Sequence, residues 1–184
     1  MSASGARRAV VFLVGTACLA CLAVGCSSKT TAAQADVSKW KSYDKPGFTA
    51  KFPSAPTRET QHISQSGLNI DLTIYKSDLG TSHYTVSYVT YPNSVDVSNP
   101  QNNLNGAVNG ALQSSGIENP HLVKQVPNTV SGSPGMEVEA SADNGYLFLE
   151  AILKDHTLFQ VLTANDKNAP PVAAQPFIDS VTLK

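Results

Sequence analysis

Along most of this chain apolar residues return at every second position, the period of a strand with one buried face. Phe48, Ala50 and Phe52 alternate with Thr49 and Lys51 until Pro53 and Pro56 stop the run. The polar stretch 57–64 reads as an edge strand. Leu68, Ile70, Leu72 and Ile74 alternate with Asn69, Asp71 and Thr73. Residues 76–82, with Asp78 and Gly80, turn the chain, and Tyr84, Val86 and Tyr88 resume the alternation. The connections are too short for parallel crossovers, so these strands pair antiparallel. One segment changes period. Leu104, Val108 and Leu112, with Ala107 and Ala111, form a narrow stripe at helical spacing. Ser98 or Asn99 caps that helix, Pro100 suits its first turn and Gly116 its end. Gly106 and Gly110 fall on its other side, so its stability must come from packing.

Strands then return. Residues 122–126 predict a short one, and Met136, Val138 and Ala140 alternate with Glu137 and Glu139. Asp143-Asn144-Gly145 is a hairpin signal. Residues 146–153 are apolar on both faces, which predicts an interior strand covered on both sides. Residues 154–156 turn again and 158–163 return. Pro170-Pro171 opens a short helix whose regularity Pro176 limits. Phe177, Ile178, Val181 and Leu183 supply a closing contact. The expected fold class is α+β: an antiparallel sheet of six to eight strands with one clear helix and a short C-terminal one. The alternative is a β-sandwich; the central helix and the doubly covered strand count against it.

The first residues follow a different pattern. Arg7 and Arg8 precede residues 9–24, which carry no charge and one hydroxyl, Thr16. The run is shorter than the roughly 20 residues of a spanning helix and reads as a signal-peptide core. With Gly25-Cys26 at its end, followed by Ser27 and Ser28, it resembles a bacterial lipoprotein signal. It departs from that pattern at Ala23, where leucine is usual. The alternatives are an ordinary secreted protein cleaved nearby or an uncleaved anchor. Arg7-Arg8-Ala9-Val10-Val11 also resembles a twin-arginine export signal. The lipoprotein resemblance implies a signal peptide over residues 1–25 and acyl groups on Cys26. It divides the rest into a flexible tether, 26–39, and a single domain, 40–184. The tether is small and polar, and a dozen such residues reach roughly 20 Å. The expected location is the extracytoplasmic face of the cell membrane.

Cysteine usage and charge narrow the picture further. The chain has three cysteines, Cys18, Cys21 and Cys26. Cleavage before Cys26 would remove two, so the mature domain can form no internal disulfide and relies on its core. Without Arg7 and Arg8 the balance of 13 basic and 14 acidic residues becomes −3, and Arg58 is the last arginine. No cations cluster as nucleic-acid binding requires, and none would draw the domain to anionic lipid. Membrane attachment is therefore expected through acyl groups on Cys26 alone.

The segment Trp40…Gly47-Phe48-Thr49-Ala50-Lys51-Phe52-Pro53-Ser54-Ala55-Pro56 resembles the opening of PsbP-like α/β domains. The order that follows resembles them too: strands, a helix, three meandering strands and a closing Phe177…Ser180-Val181 segment. The resemblance covers residues 40 to 184. It implies an α/β/α sandwich and a binding or assembly role, with no shared catalytic constellation.

Motifs for chemistry are sparse. Ser-x-x-Lys occurs as Ser38…Lys41 and Ser42…Lys45, but neither Ser-Asp-Asn nor Lys-Thr-Gly follows. Ser131-Gly132-Ser133-Pro134-Gly135 reads as a loop. His62, His83, His121 and His156 stand singly, without the paired spacing of a zinc site. Glu137 and Glu139 share a strand face and could mimic a glycosidase carboxylate pair; outward-facing polar residues explain them more simply. Tyr75, Tyr91 and Phe148 fall out of step with their neighbours' apolar rows. They form either a groove for an apolar or carbohydrate ligand or, as the simpler reading has it, packing on the second covered face. No catalytic residue, metal or cofactor is expected. The leading expectation is a non-enzymatic, lipid-anchored module that binds a protein or an envelope component. A carrier of a lipid or other apolar ligand is the second and a cell-wall hydrolase the third.

Overall fold

The computed structural model describes residues 36–65 and 68–184. The expected signal peptide, 1–25, the expected lipidation site Cys26 and the expected tether as far as residue 35 lie outside the described residues. The last tether residues, Val37–Lys39, form one 3-10 turn, with the Ser38 N–H donating to Asp36 Oδ1 at 3.2 Å.

The chain then builds a hairpin, β1 (Lys41–Lys45) and β2 (Phe48–Phe52). Gly47 at its turn has φ 86°, and a Cβ there would lie 3.3 Å from the Phe159 ring. Next come β3 (Thr57–Gln65), β4 (Leu68–Leu79), β5 (Ser82–Thr90) and the helix α1 (Pro100–Ser114). A four-strand meander follows: β6 (His121–Val130), β7 (Ser133–Ala142), β8 (Gly145–Lys154) and β9 (Thr157–Asn165). The chain closes with α2 (Ala174–Asp179) and β10 (Thr182–Leu183).

Seven strands form one antiparallel sheet in the order β3-β4-β5-β9-β8-β7-β6; β1, β2 and β10 form a second, with β2 central. The fold is therefore the α+β class expected, with the large sheet between two apolar layers. On one side Leu104, Val108 and Ala111 of α1 press on Met136, Val138, Leu147 and Leu149. Gln160 Nε2 donates to the Ala107 carbonyl at 3.0 Å and ties α1 to β9. On the other side Phe48 and Phe52 of β2 and Phe177 of α2 pack on Tyr75, Tyr84, Val86 and Val161. Trp40 joins this layer edge-on to Tyr84, ring centroids 4.9 Å apart. Strand β8 is the doubly covered one, buried at nearly every position.

Several boundaries differ from the sequence reading, each for a local reason. Strand β1 left no hydrophobic pattern, because it is an exposed edge whose Tyr43 alone reaches the core, beside Phe52. Strand β4 continues through residues read as a turn: Ser77 faces inward and its Oγ bonds Ser54 Oγ at 2.7 Å. The turn shrinks to Gly80-Thr81. Strand β6 runs to Val130 rather than 126, and β7 starts at Ser133. The presumed loop 131–135 is thus a two-residue turn with positive φ at Ser131 (50°) and Gly132 (82°), the geometry that suits strand twist. The Asp143-Asn144-Gly145 signal marked a real hairpin, but Gly145 lies in β8. Its Cβ would stand 2.9 Å from Ile117 Cγ1 and 3.2 Å from the Asn165 carbonyl oxygen, so it serves close approach rather than the turn.

Candidate functional site

The second layer does not cover the whole sheet. Toward β6 it stops short and leaves a cleft of about 330 Å³, floored by Ile152 and Val161 and bounded by α2. Register puts Glu137 of β7 directly opposite Glu150 of β8 on this face. Like charges in that position repel, so the pair costs the fold stability that a polar–charged or oppositely charged pair would not.

Glu150 is the deeper of the two, only 6% exposed. Asn128 of β6 donates Nδ2 to its Oε2 at 3.1 Å. Its Oε1 and the Asn128 Oδ1 are both buried and have no hydrogen-bond partner among the described residues. Burial pushes the Glu150 carboxyl above its ordinary value; the Asn128 bond opposes this, the Glu137 charge adds to it and Lys124 pulls the other way. The Asn128 amide fits because residue 135 is glycine. A Cβ there would fall 2.2 Å from Asn128 Oδ1 and 3.1 Å from Glu150 Oε1. Glu137 is nearer the surface and pairs with Lys124 Nζ at 2.6 Å. At the mouth, Gln175 Nε2 donates to Asp179 Oδ1 at 2.8 Å.

Strand β6 forms one lip of the cleft and one free edge of the sheet. Leu122, Val123 and Val126 are 52%, 57% and 44% exposed, which makes this edge the main aliphatic surface among the described residues. A register shift at Val123 and Pro127 within the ladder interrupt it.

The residues singled out from the sequence scatter. Tyr91 packs in the layer under α1, while Tyr75 and Phe148 belong to the opposite layer. The three lie on both faces of the sheet and cannot line one groove. Tyr75 sits edge-on to Phe48 instead. Glu139 is not Glu137's partner; Tyr146 donates its hydroxyl to Glu139, and burial together with that carboxylate pushes the phenol above its usual range. Ser38 lies in the 3-10 turn and Ser42 on exposed β1. His62 bonds Asp71 at 2.9 Å on the surface. His83 bridges Asp78 at 2.8 Å and Asp166 at 3.0 Å. Partial burial lowers its pKa, but the two aspartates outweigh this and hold it above the usual histidine value. Among the described residues no group of three or more His, Cys, Asp or Glu is arranged to hold a metal ion, and no helix is long and apolar enough to cross a membrane.

The sequence reading passed over Glu150, Asn128 and Gly135. The available signal was a carboxylate in the middle of the apolar run 146–153. A strand covered on both faces has no solvent side for such a group, so it must point at a partner or a cleft.

No protein-family model matches the chain, and no curated protein matches it. Among solved structures it is similar to the cyanobacterial PsbP (CyanoP) from Synechocystis sp. PCC 6803, known from a solution structure. The TM-score is 0.54 and the identity 9%, over 78% of this chain and 92% of that one. At that identity the likeness is one of fold: a PsbP-like α+β domain.

Proposed function

We propose that this chain is a lipid-anchored module of the extracytoplasmic membrane face that binds a partner protein and catalyses no reaction. Cys26 carries the acyl groups, residues 27–39 give reach, and the domain presents its β6 edge. The observation that carries the reading is the exposure of Leu122, Val123 and Val126 on a free strand edge. Such an edge is an open template for pairing and a common mode of partner recognition. Lys124, Pro127 and the bulge at Val123 restrain indiscriminate pairing while leaving the aliphatic side chains available. The expected partner therefore offers an aliphatic face of its own.

Two further observations support binding over carriage. Leu104 and Val108 of α1 are almost fully buried against the sheet, and the cavity beside Ala111, between Leu72, Ile74 and Leu162, holds only about 260 Å³, small for a lipid. The cleft sets the carboxylates of Glu137, Glu150 and Asp179 against its aliphatic floor, and a purely apolar ligand would have to bury them. The test is a photo-crosslinking residue at Val123 in cells, with the same residue at Gln101 on exposed α1 as reference. One reproducible product from position 123, lost with Leu122→Asp and absent from position 101, is the expected result. Equal labelling from both positions would sink the β6 reading.

A further inference from the structure

The chain buries a carboxylate at position 150 and leaves one of its oxygens without a partner among the described residues. A buried acceptor without a donor is costly, and here two stand side by side, Glu150 Oε1 and Asn128 Oδ1. Both crowd the same point above Gly135. Glu137 and Asp179 add negative charge at the same cleft; Lys124 pairs directly with Glu137 and acts on Glu150 from farther off. What would complete the site is a positive group with several N–H donors.

The carboxylates do not converge as metal ligands do, which disfavours a bare ion bound at the short distances metals require. None of the lining residues is aromatic, so the stacking surface that a sugar ring favours is missing. The floor is aliphatic instead, with Ile152, Val161 and Ile178 beneath the acids. From these observations we infer that the cleft binds a guanidinium or primary ammonium group carried on a short apolar stem. The cation meets Glu150 and the Asn128 carbonyl, the stem lies on Ile152 and Val161, and Asp179 guards the mouth. The inference stands apart from partner docking at β6. The same chemistry has two sources, a free small amine and a basic side chain of a bound protein.

The experiment uses the full chain, labelled with 15N-glycine and held in non-ionic detergent. The Gly135 amide is followed during titration with n-butylguanidinium, n-butylammonium, n-butanol and butyrate. Saturable shifts with the two cations alone are expected. Glu150→Gln keeps the side-chain shape and should weaken cation binding at least tenfold, while thermal unfolding checks that it is folded. Asp179→Asn, at the exposed mouth, is the second variant and should weaken binding severalfold. An Ala-Val-Arg-Val-Ala peptide separates the sources. Binding of the peptide at least as tight as that of butylguanidinium points to a partner's side chain; binding of butylguanidinium with exclusion of the peptide points to a free amine. No saturation with either cation overturns the inference. So does equal binding of butanol, or an affinity unchanged in both variants.

Discussion

Glu150 holds its carboxyl in a place where ionisation is unfavourable, and that gives the residue a measurable signature. Its pKa lies above the ordinary 4.5 because of burial, with Glu137 on β7 adding to the shift. Asn128 and Lys124 on β6 oppose it; Asp179 on α2 faces the same cleft, and β9 contributes only Val161 there. A group whose folded pKa is raised favours the fold fully below its unfolded value and loses that contribution as pH rises through the folded one. Wild type should therefore lose stability above pH 4.5 in a step that Glu150→Gln lacks. Thermal unfolding of both proteins from acid to neutral pH checks this: the gap should be constant in acid and widen in favour of the variant on titration. A gap of constant size would mean that Glu150 is not titrating in the cleft. Gly135→Ala acts on the same pair from the backbone. Its Cβ displaces the Asn128 amide, removes the one donor to Glu150 among the described residues and should cost about 1–3 kcal/mol in denaturant unfolding. Little of this was legible in the sequence. Asn128 and Gly135 face each other across one hairpin, but Glu150 stands 22 residues beyond Asn128, and only the β6–β7–β8 register brings the three together.

Elements were easier to read than the contacts between them, and α1 shows why. Its stripe, proline and cap are local features, and the structure keeps all three: Asn99 accepts from the Asn102 N–H at 3.3 Å and Leu104, Val108 and Ala111 face inward. Gly106 and Gly110 lie on the outer face with nothing within 4 Å of a Cβ position. Each substitution by alanine should therefore add about 0.5–1 kcal/mol, and the pair should raise the melting temperature by several degrees. No gain in calorimetry would mean that the outer face of α1 is in contact with something. Strand β1, by contrast, has one apolar residue in five and owes its existence to pairing with β2. Strand β6 reads short because its polar and proline positions are tolerated only at an edge. Edge strands lack the burial that writes a pattern into sequence, and these two are edges.

At the scale of the molecule, the alternation, the helix in mid-chain and the doubly apolar run 146–153 suffice to identify the α+β class. They did not reveal that β1, β2 and β10 separate into a sheet of their own, since β10 pairs with β2 across most of the chain. That long-range pairing has no local sequence signal. The proposed anchor makes a prediction at this scale. Cys26→Ala should abolish acyl labelling and move the protein from membrane to soluble or precursor fractions. Membrane retention without acyl mass on residue 26 would sink the lipoprotein reading. Trp40 adds a mechanical consequence. It is the chain's one tryptophan, and its ring is set against Tyr84 and Phe177 just before β1 begins. A pull arriving from the upstream chain meets that ring first and then the Lys41–Phe52 end of the β1–β2 ladder, whose pairs open one after another. Tension would thus be released by peeling one hairpin, while the seven-stranded sheet and its β6 edge stay folded.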